Sequence, residues 1–247
     1  MKNHRNFAGF VFVMLFLFSL SHASAQVSFT DDEAAFLAAN PNLLFQDFEA
    51  TKVGPGDVEP CNVPVDSNSN DNCFSPGDIL PGITFLNGPF LAPPDLIVGG
   101  QGFVDPGLPP GPVLLTNEFA DDFEIVLDPG VSRVGLRLGC AQKELCDADV
   151  EVLIFNTNNF FIDQTTVHVT DSFDTFLGIS SNQLISNISI RNSDPNSPSL
   201  KGVLSVWFGN PDRNIPTLSE WGMIAAAAGL MMVGVFFAVR RRRAFNS

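Results

Sequence analysis

The chain is predicted to be mainly β. The expected architecture is a single antiparallel β-sandwich, jelly-roll-like, with one short N-terminal helix and a transmembrane helix at the C-terminus. Three observations predict it. Apolar and polar residues alternate along many short runs, the signature of strands that bury one face. Gly, Pro, Asn and Asp punctuate those runs, with 20 Gly and 18 Pro among 247 residues. At both ends an uncharged apolar segment lies beside basic residues, so the ends read as targeting segments rather than fold.

The first 25 residues carry Lys2 and Arg5, then "FAGFVFVMLFLFSL", then Ala23-Ser24-Ala25. A basic head, a short apolar middle and an A-x-A ending describe a secretory signal peptide cleaved after Ala25. Residues 26–209 form the expected extracellular domain, 210–214 a linker, and 215–243 a C-terminal segment. The domain opens on Thr30-Asp31-Asp32-Glu33, read as a capping box with Thr30 as N-cap and Glu33 reaching back. "DDEAAFLAAN" is then a short helix stopped at Asn40-Pro41.

Strands follow. "FEIVL" places Phe123, Ile125 and Leu127 on one face; "RVGLRL" turns Val134, Leu136 and Leu138 inward and Arg133 and Arg137 outward. "DVEVLIF", "TVHVT", "ISNISIRN" and "VLSVWFG" continue the pattern. "DPG" at 128–130 reads as a turn between two strands, and "NSDPNSPS" at 192–199 as a surface loop. The Pro-rich span 90–112 reads as ordered loops.

Charge narrows the function classes. Residues 26–214, the domain with its linker, hold 26 of the 27 acidic residues and only 7 of the 13 basic ones, near −19 in sum. Such a surface repels nucleic acid, which is set aside as a partner. Four cysteines suit an oxidising compartment, and pairing neighbours gives Cys61 with Cys73 and Cys140 with Cys146. Neither spacing is that of a four-cysteine zinc site.

Chemistry has little material. His168 is the one histidine left once the signal is removed, and there is no G-x-S-x-G elbow. Asp121, Asp122 and Glu124 are the candidates for two-carboxylate glycosidase chemistry, against a charged outer strand face. No cofactor is expected, with Ca2+ kept as an alternative: Asp66, Asn68, Asn70 and Asp71 offer oxygen ligands in a loop pinned by Cys61 and Cys73. Glycan platforms favour Trp and Tyr. This chain has no Tyr, and Trp207 is the domain's one Trp. In "NTNNFFID", Phe160 and Phe161 are expected to enter a buried strand rather than stand out from a loop.

At the C-terminus, Met223 to Val239 is 17 residues without a charge. As a helix it spans about 26 Å, close to the roughly 30 Å of bilayer hydrocarbon. Trp221 suits the interface, while Arg240, Arg241, Arg242 and Arg243 form a cytoplasmic stop. Ahead of it stands "IPTLSEWG", where Pro216 holds Ile215 extended.

This order of motif, short span and arginine cluster resembles the IPTL-CTERM sorting domain over about residues 214–243. Ile215, Pro216, Thr217 and Leu218 match the name-giving motif, and Trp221 and Gly222 its following pair. The resemblance implies a substrate of an exosortase-type membrane transpeptidase, anchored by its helix during processing. It further implies a Gram-negative inner-membrane intermediate and a cell-surface or matrix destination. The order "GITF", "VGLRLG", "FLGISS", "ISNISIRN", "SVWFG" is similar to β-sandwich domains of proteins with PEP-CTERM-like tails. Members often carry acidic residues just before the final aromatic, where this chain has Ser205 and Val206. The functional expectation is therefore a non-catalytic structural or adhesive surface protein. The alternatives are a calcium-dependent module for extracellular polysaccharide and, third, a glycosidase.

Overall fold

The computed structural model describes residues 27–88, 95–105, 107–118, 122–141, 146–194 and 199–210. The signal segment, the 215–222 motif, the 223–239 span and the arginine cluster lie outside the described residues. Among the described residues no helix is long and apolar enough to cross a membrane.

In chain order the elements are β1 (Val27–Thr30), α1 (Glu33–Ala39), β2 (Leu44–Asp47), β3 (Val58–Asn62), β4 (Ile83–Asn87) and β5 (Asp95–Gly99). There follow β6 (Val113–Thr116), β7 (Phe123–Ala141), β8 (Asp147–Asn156), β9 (Phe161–Thr170), β10 (Thr175–Asn192) and β11 (Leu200–Gly209). The strands pair antiparallel throughout, along the path β3-β5-β6-β11-β7-β10-β8-β9, with β1 on β10, β2 on β11 and β4 on β7.

Two long strands turn this single network into two layers. The first half of β7 pairs with β4 and the second half with β11. Likewise β10 meets β1 in its first half and β8 in its second. One buried cluster joins the inner faces: Phe85, Ile125, Val152 and Ile188 from one layer, Val134, Leu136, Ile179 and Val206 from the other. Strands that cross from sheet to sheet through bulges are how such sandwiches make corners.

The crossing corrects two expectations. Asp128-Pro129-Gly130 does not reverse the chain; it lies within β7, with Asp128 and Pro129 exposed at the bend. "FLGISS" and "ISNISIRN" are likewise one strand, β10, whose register on β7 shifts between Ser180 and Ile185. The inward residues are as expected: Phe123, Ile125, Leu127, Val134, Leu136 and Leu138 are all buried. So are both short-range disulfides, Cys61–Cys73 and Cys140–Cys146. Each contributes about 2–4 kcal/mol by restricting the unfolded chain.

The helix is capped differently from the sequence reading. Asp32 is the N-cap, its carboxylate accepting the Ala35 N–H at 2.9 Å, while Thr30 Oγ1 accepts the Asp32 N–H at 3.1 Å. Glu33 is the first helical residue, and its carboxylate turns to Arg137 instead of back to the cap. Phe36 anchors the helix on the sheet because Gly178 leaves it room: a Cβ there would stand 2.6 Å from the Phe36 ring.

Candidate functional site

Short strand β2 makes the site. From Phe45 on its side chains alternate: Gln46 is buried while Phe45 and Asp47 face outward. Inside, Gln46 Oε1 accepts the Leu80 N–H at 2.6 Å and its amide donates to the Asp47 carbonyl, so the strand is fixed by its buried side. β2 lies along β11 with Phe45 opposite Trp207 and Asp47 opposite Ser205. Across β11, Ser205 faces Arg137 of β7, and Arg137 faces Phe176 of β10. Four strands thus bring Asp47, Ser205, Arg137 and Phe176 into one row on the outer face.

The half-buried Trp207 is the centre of this patch. The Phe45 ring lies 4.8 Å from it at 34°, and Phe176 meets it edge-on at 5.9 Å. The Arg137 guanidinium sits over the indole at 5.9 Å, a cation–π distance. Arg137 is held there by Glu33, with its Nη2 2.8 Å and its Nε 3.2 Å from Oε2. As the pair is partly exposed, it contributes at most about 1 kcal/mol of stability. Its geometric effect is to orient the guanidinium.

Pro110, Gly111 and Pro112 form the opposite wall, and Glu49 reaches toward it. A Cβ at Gly111 would stand 2.8 Å from Glu49 Oε1, so the wall closes to this distance only with glycine. The resulting cleft has a volume of about 300 Å³. It presents an aromatic floor, two carboxylates, a hydroxyl and a guanidinium, the mix that concave sites for small polar ligands carry. In the sequence Trp207 counted only as the domain's one Trp, against a glycan platform. Asp47 and Glu49 were missed, although the Phe45/Asp47 alternation was the available signal. Asp47 stands opposite Ser205, on the strand beside that of Trp207.

The other candidates fall elsewhere. Asp66, Asn68, Asn70 and Asp71 occupy the disulfide-closed loop, where carboxylate oxygens are engaged with the backbone. Asp66 Oδ1 accepts the Asn68 N–H at 2.7 Å, and Asp71 accepts those of Asn62, Cys73 and Phe74 at 2.8, 2.9 and 3.0 Å. The Lys52 ammonium donates to the Asp71 and Phe74 carbonyls at 2.7 and 2.8 Å. Among the described residues no three His, Cys, Asp or Glu gather as a metal site.

Asp121 lies outside the described residues. Burial raises the carboxyls of both Asp122 and Glu124 above their ordinary values. For Asp122, Lys201 and Arg191 oppose the rise; for Glu124, a hydrogen bond from Asn187 opposes it and the Asp122 charge adds to it. His168 is exposed on β9, its Nδ1 3.0 Å from Asp149 Oδ1. Phe160 and Phe161 overturn their expectation: Phe160, just before β9, is 67% exposed, and Phe161, its first residue, 53%.

No protein-family model matches the chain, and no curated protein matches it. Similar solved structures are variants of family 29 carbohydrate-binding modules. One is 10% identical with a TM-score of 0.34, covering 64% of this chain and 98% of that one. Another is 9% identical with a TM-score of 0.29, covering 77% and 98%. A third, complexed with mannohexaose, is 11% identical with a TM-score of 0.28, covering 69% and 96%.

Proposed function

We propose that this is an exported, surface-destined protein whose β-sandwich is a non-catalytic, adhesive module that holds polysaccharide in the Trp207 cleft. The observation that carries the binding part is one arrangement: the outward Trp207–Phe45 pair, rimmed by Asp47, Glu49, Ser205 and Arg137. A sugar ring offers an apolar C–H face and a rim of hydroxyls. The aromatic pair suits the first, and carboxylates and guanidinium suit the second.

Export and sorting complete the reading. They rest on the N-terminal A-x-A segment and on Ile215 to Gly222 ahead of an apolar span and Arg240 to Arg243. Two buried disulfides fit an oxidising destination. An exosortase-type transpeptidase would act near the motif while the helix holds the chain in the inner membrane.

Two measurements test this. Affinity electrophoresis of the full-length chain through gels containing neutral polysaccharides is expected to retard it, and Trp207→Ala to weaken retardation roughly 30-fold. Retardation that is absent throughout, or unchanged in Trp207→Ala, removes the binding reading. Intact mass of the protein from its own cells is expected to lack "MIAAAAGLMMVGVFFAVRRRR". A retained tail leaves a plain membrane anchor in place of sorting.

A further inference from the structure

We infer that the Trp207 cleft selects uncharged glycans over anionic ones, and that Glu33 sets this preference by holding Arg137. The inference rests on the proposed glycan-binding reading and adds the ligand class.

Consider the formal charges around the indole. Among the described residues, Arg137 is the one cationic side chain lining the cleft, and Asp47 and Glu49 are carboxylates on its rim. A lone guanidinium in a binding cleft would favour carboxylate or sulfate ligands, because its planar fork matches them in two parallel bonds. Here that fork is already taken. Glu33 accepts from both Nε and Nη2, with three contacts between 2.8 and 3.2 Å. The pair leaves the guanidinium beside the Trp207 ring with its charge balanced. The unbalanced charge at the site is then that of Asp47 and Glu49, on a domain already strongly acidic. Like-charge juxtaposition rejects an anionic sugar, while hydroxyls remain good donors to both carboxylates.

Glu33 acts through Arg137, from a helix that is itself seated on the sheet by Phe36. It is a positioning residue for selectivity and has no place among the groups lining the cleft.

The test uses matched polymers. Hydroxyethylcellulose, galactomannan and pullulan are each compared with a form of themselves whose primary hydroxyls are partly oxidised to carboxylates. Affinity electrophoresis of the full-length chain gives the ratio of neutral to oxidised affinity. In the native protein at least one neutral polymer is expected to bind at least roughly five-fold more tightly than its oxidised form. Glu33→Gln keeps the side chain's shape but frees the guanidinium charge, so the ratio is expected to fall by roughly five-fold. Glu33→Asp, which restores the charge, is expected to recover part of it. A merely structural role would lower both affinities together and leave their ratio unchanged, which overturns the inference. Tighter binding of an oxidised polymer by the native protein also overturns it while leaving glycan binding intact. Loss of all binding in the native protein removes the glycan reading itself.

Discussion

The Asp66–Asp71 loop and the Trp207 cleft are both rich in carboxylates, yet they spend them differently. In the loop, Asp71 alone accepts three backbone N–H groups, and the Lys52 ammonium fills the position between two carbonyls. The polar atoms face each other and hold the chain. In the cleft, Asp47 and Glu49 stand at the rim of an aromatic floor, with Gly111 letting the opposite wall approach Glu49. Residue type is the same in both places. What differs is how far the backbone consumes the oxygens: Asp71 accepts three N–H groups, whereas Asp47 Oδ1 accepts one, from Glu49 at 3.3 Å, beside exposed aromatic rings.

Replacing Asp71 with Ala should give the largest effect. It removes the acceptor for three N–H groups, two of them on Cys73 and Phe74, which are fully buried. A loss of about 3 kcal/mol is expected in thermal or denaturant unfolding, with glycan retardation unchanged at temperatures where the variant is folded. A stability-neutral Asp71→Ala would mean that the loop is not held by its aspartate. Trp207→Ala should invert this pattern. Binding falls by about 2 kcal/mol, and stability changes less because the indole is only half-buried. A third change sharpens the loop side. Lys52→Met should cost about 1 kcal/mol by removing two charge-assisted bonds. Added Ca2+ should not restore it. A calcium-dependent rise in Tm in Lys52→Met alone would show that the ammonium occupies a cation position.

The sequence made some of this legible and hid the rest for a physical reason. Period-two alternation reports which side of a strand is buried, so it alone places Phe123, Ile125, Leu127, Val134, Leu136 and Leu138 in the core. Near-neighbour cysteines and the β class are equally local. The site is not local. Trp207 meets Phe45 across β2 and β11, and Arg137 meets Glu33 across 104 positions of sequence. Register between distant strands is set by tertiary packing, and no spacing rule along the chain encodes it. The capping expectation failed for the same reason. Glu33 had a distant cation to face, which displaced its local role. At Asp128-Pro129-Gly130 the turn signal marks a bend within one strand and not the expected turn between two, because both halves find partners in different layers.

The smallest expected effect concerns Glu124, on β7 between Leu86 of β4 and Ser189 of β10. Burial raises its carboxyl above the ordinary 4.5, so the folded state holds this proton more tightly than the unfolded chain does. The unfolded group ionises first as pH rises. From about 4.5 up through the raised value, folding therefore loses stability from this residue, and the penalty is complete above it. Glu124→Gln keeps the volume and a carbonyl to accept from Asn187 but carries no charge. Its Tm is expected to exceed that of the native protein slightly near pH 7, and the gain to vanish below 4.5. The half-exposed position keeps the effect small. An equal gain at both pH values would assign it to packing. A loss near pH 7 would show that the carboxylate is needed in its charged form, and that this face, like the cleft, keeps an acceptor in reserve.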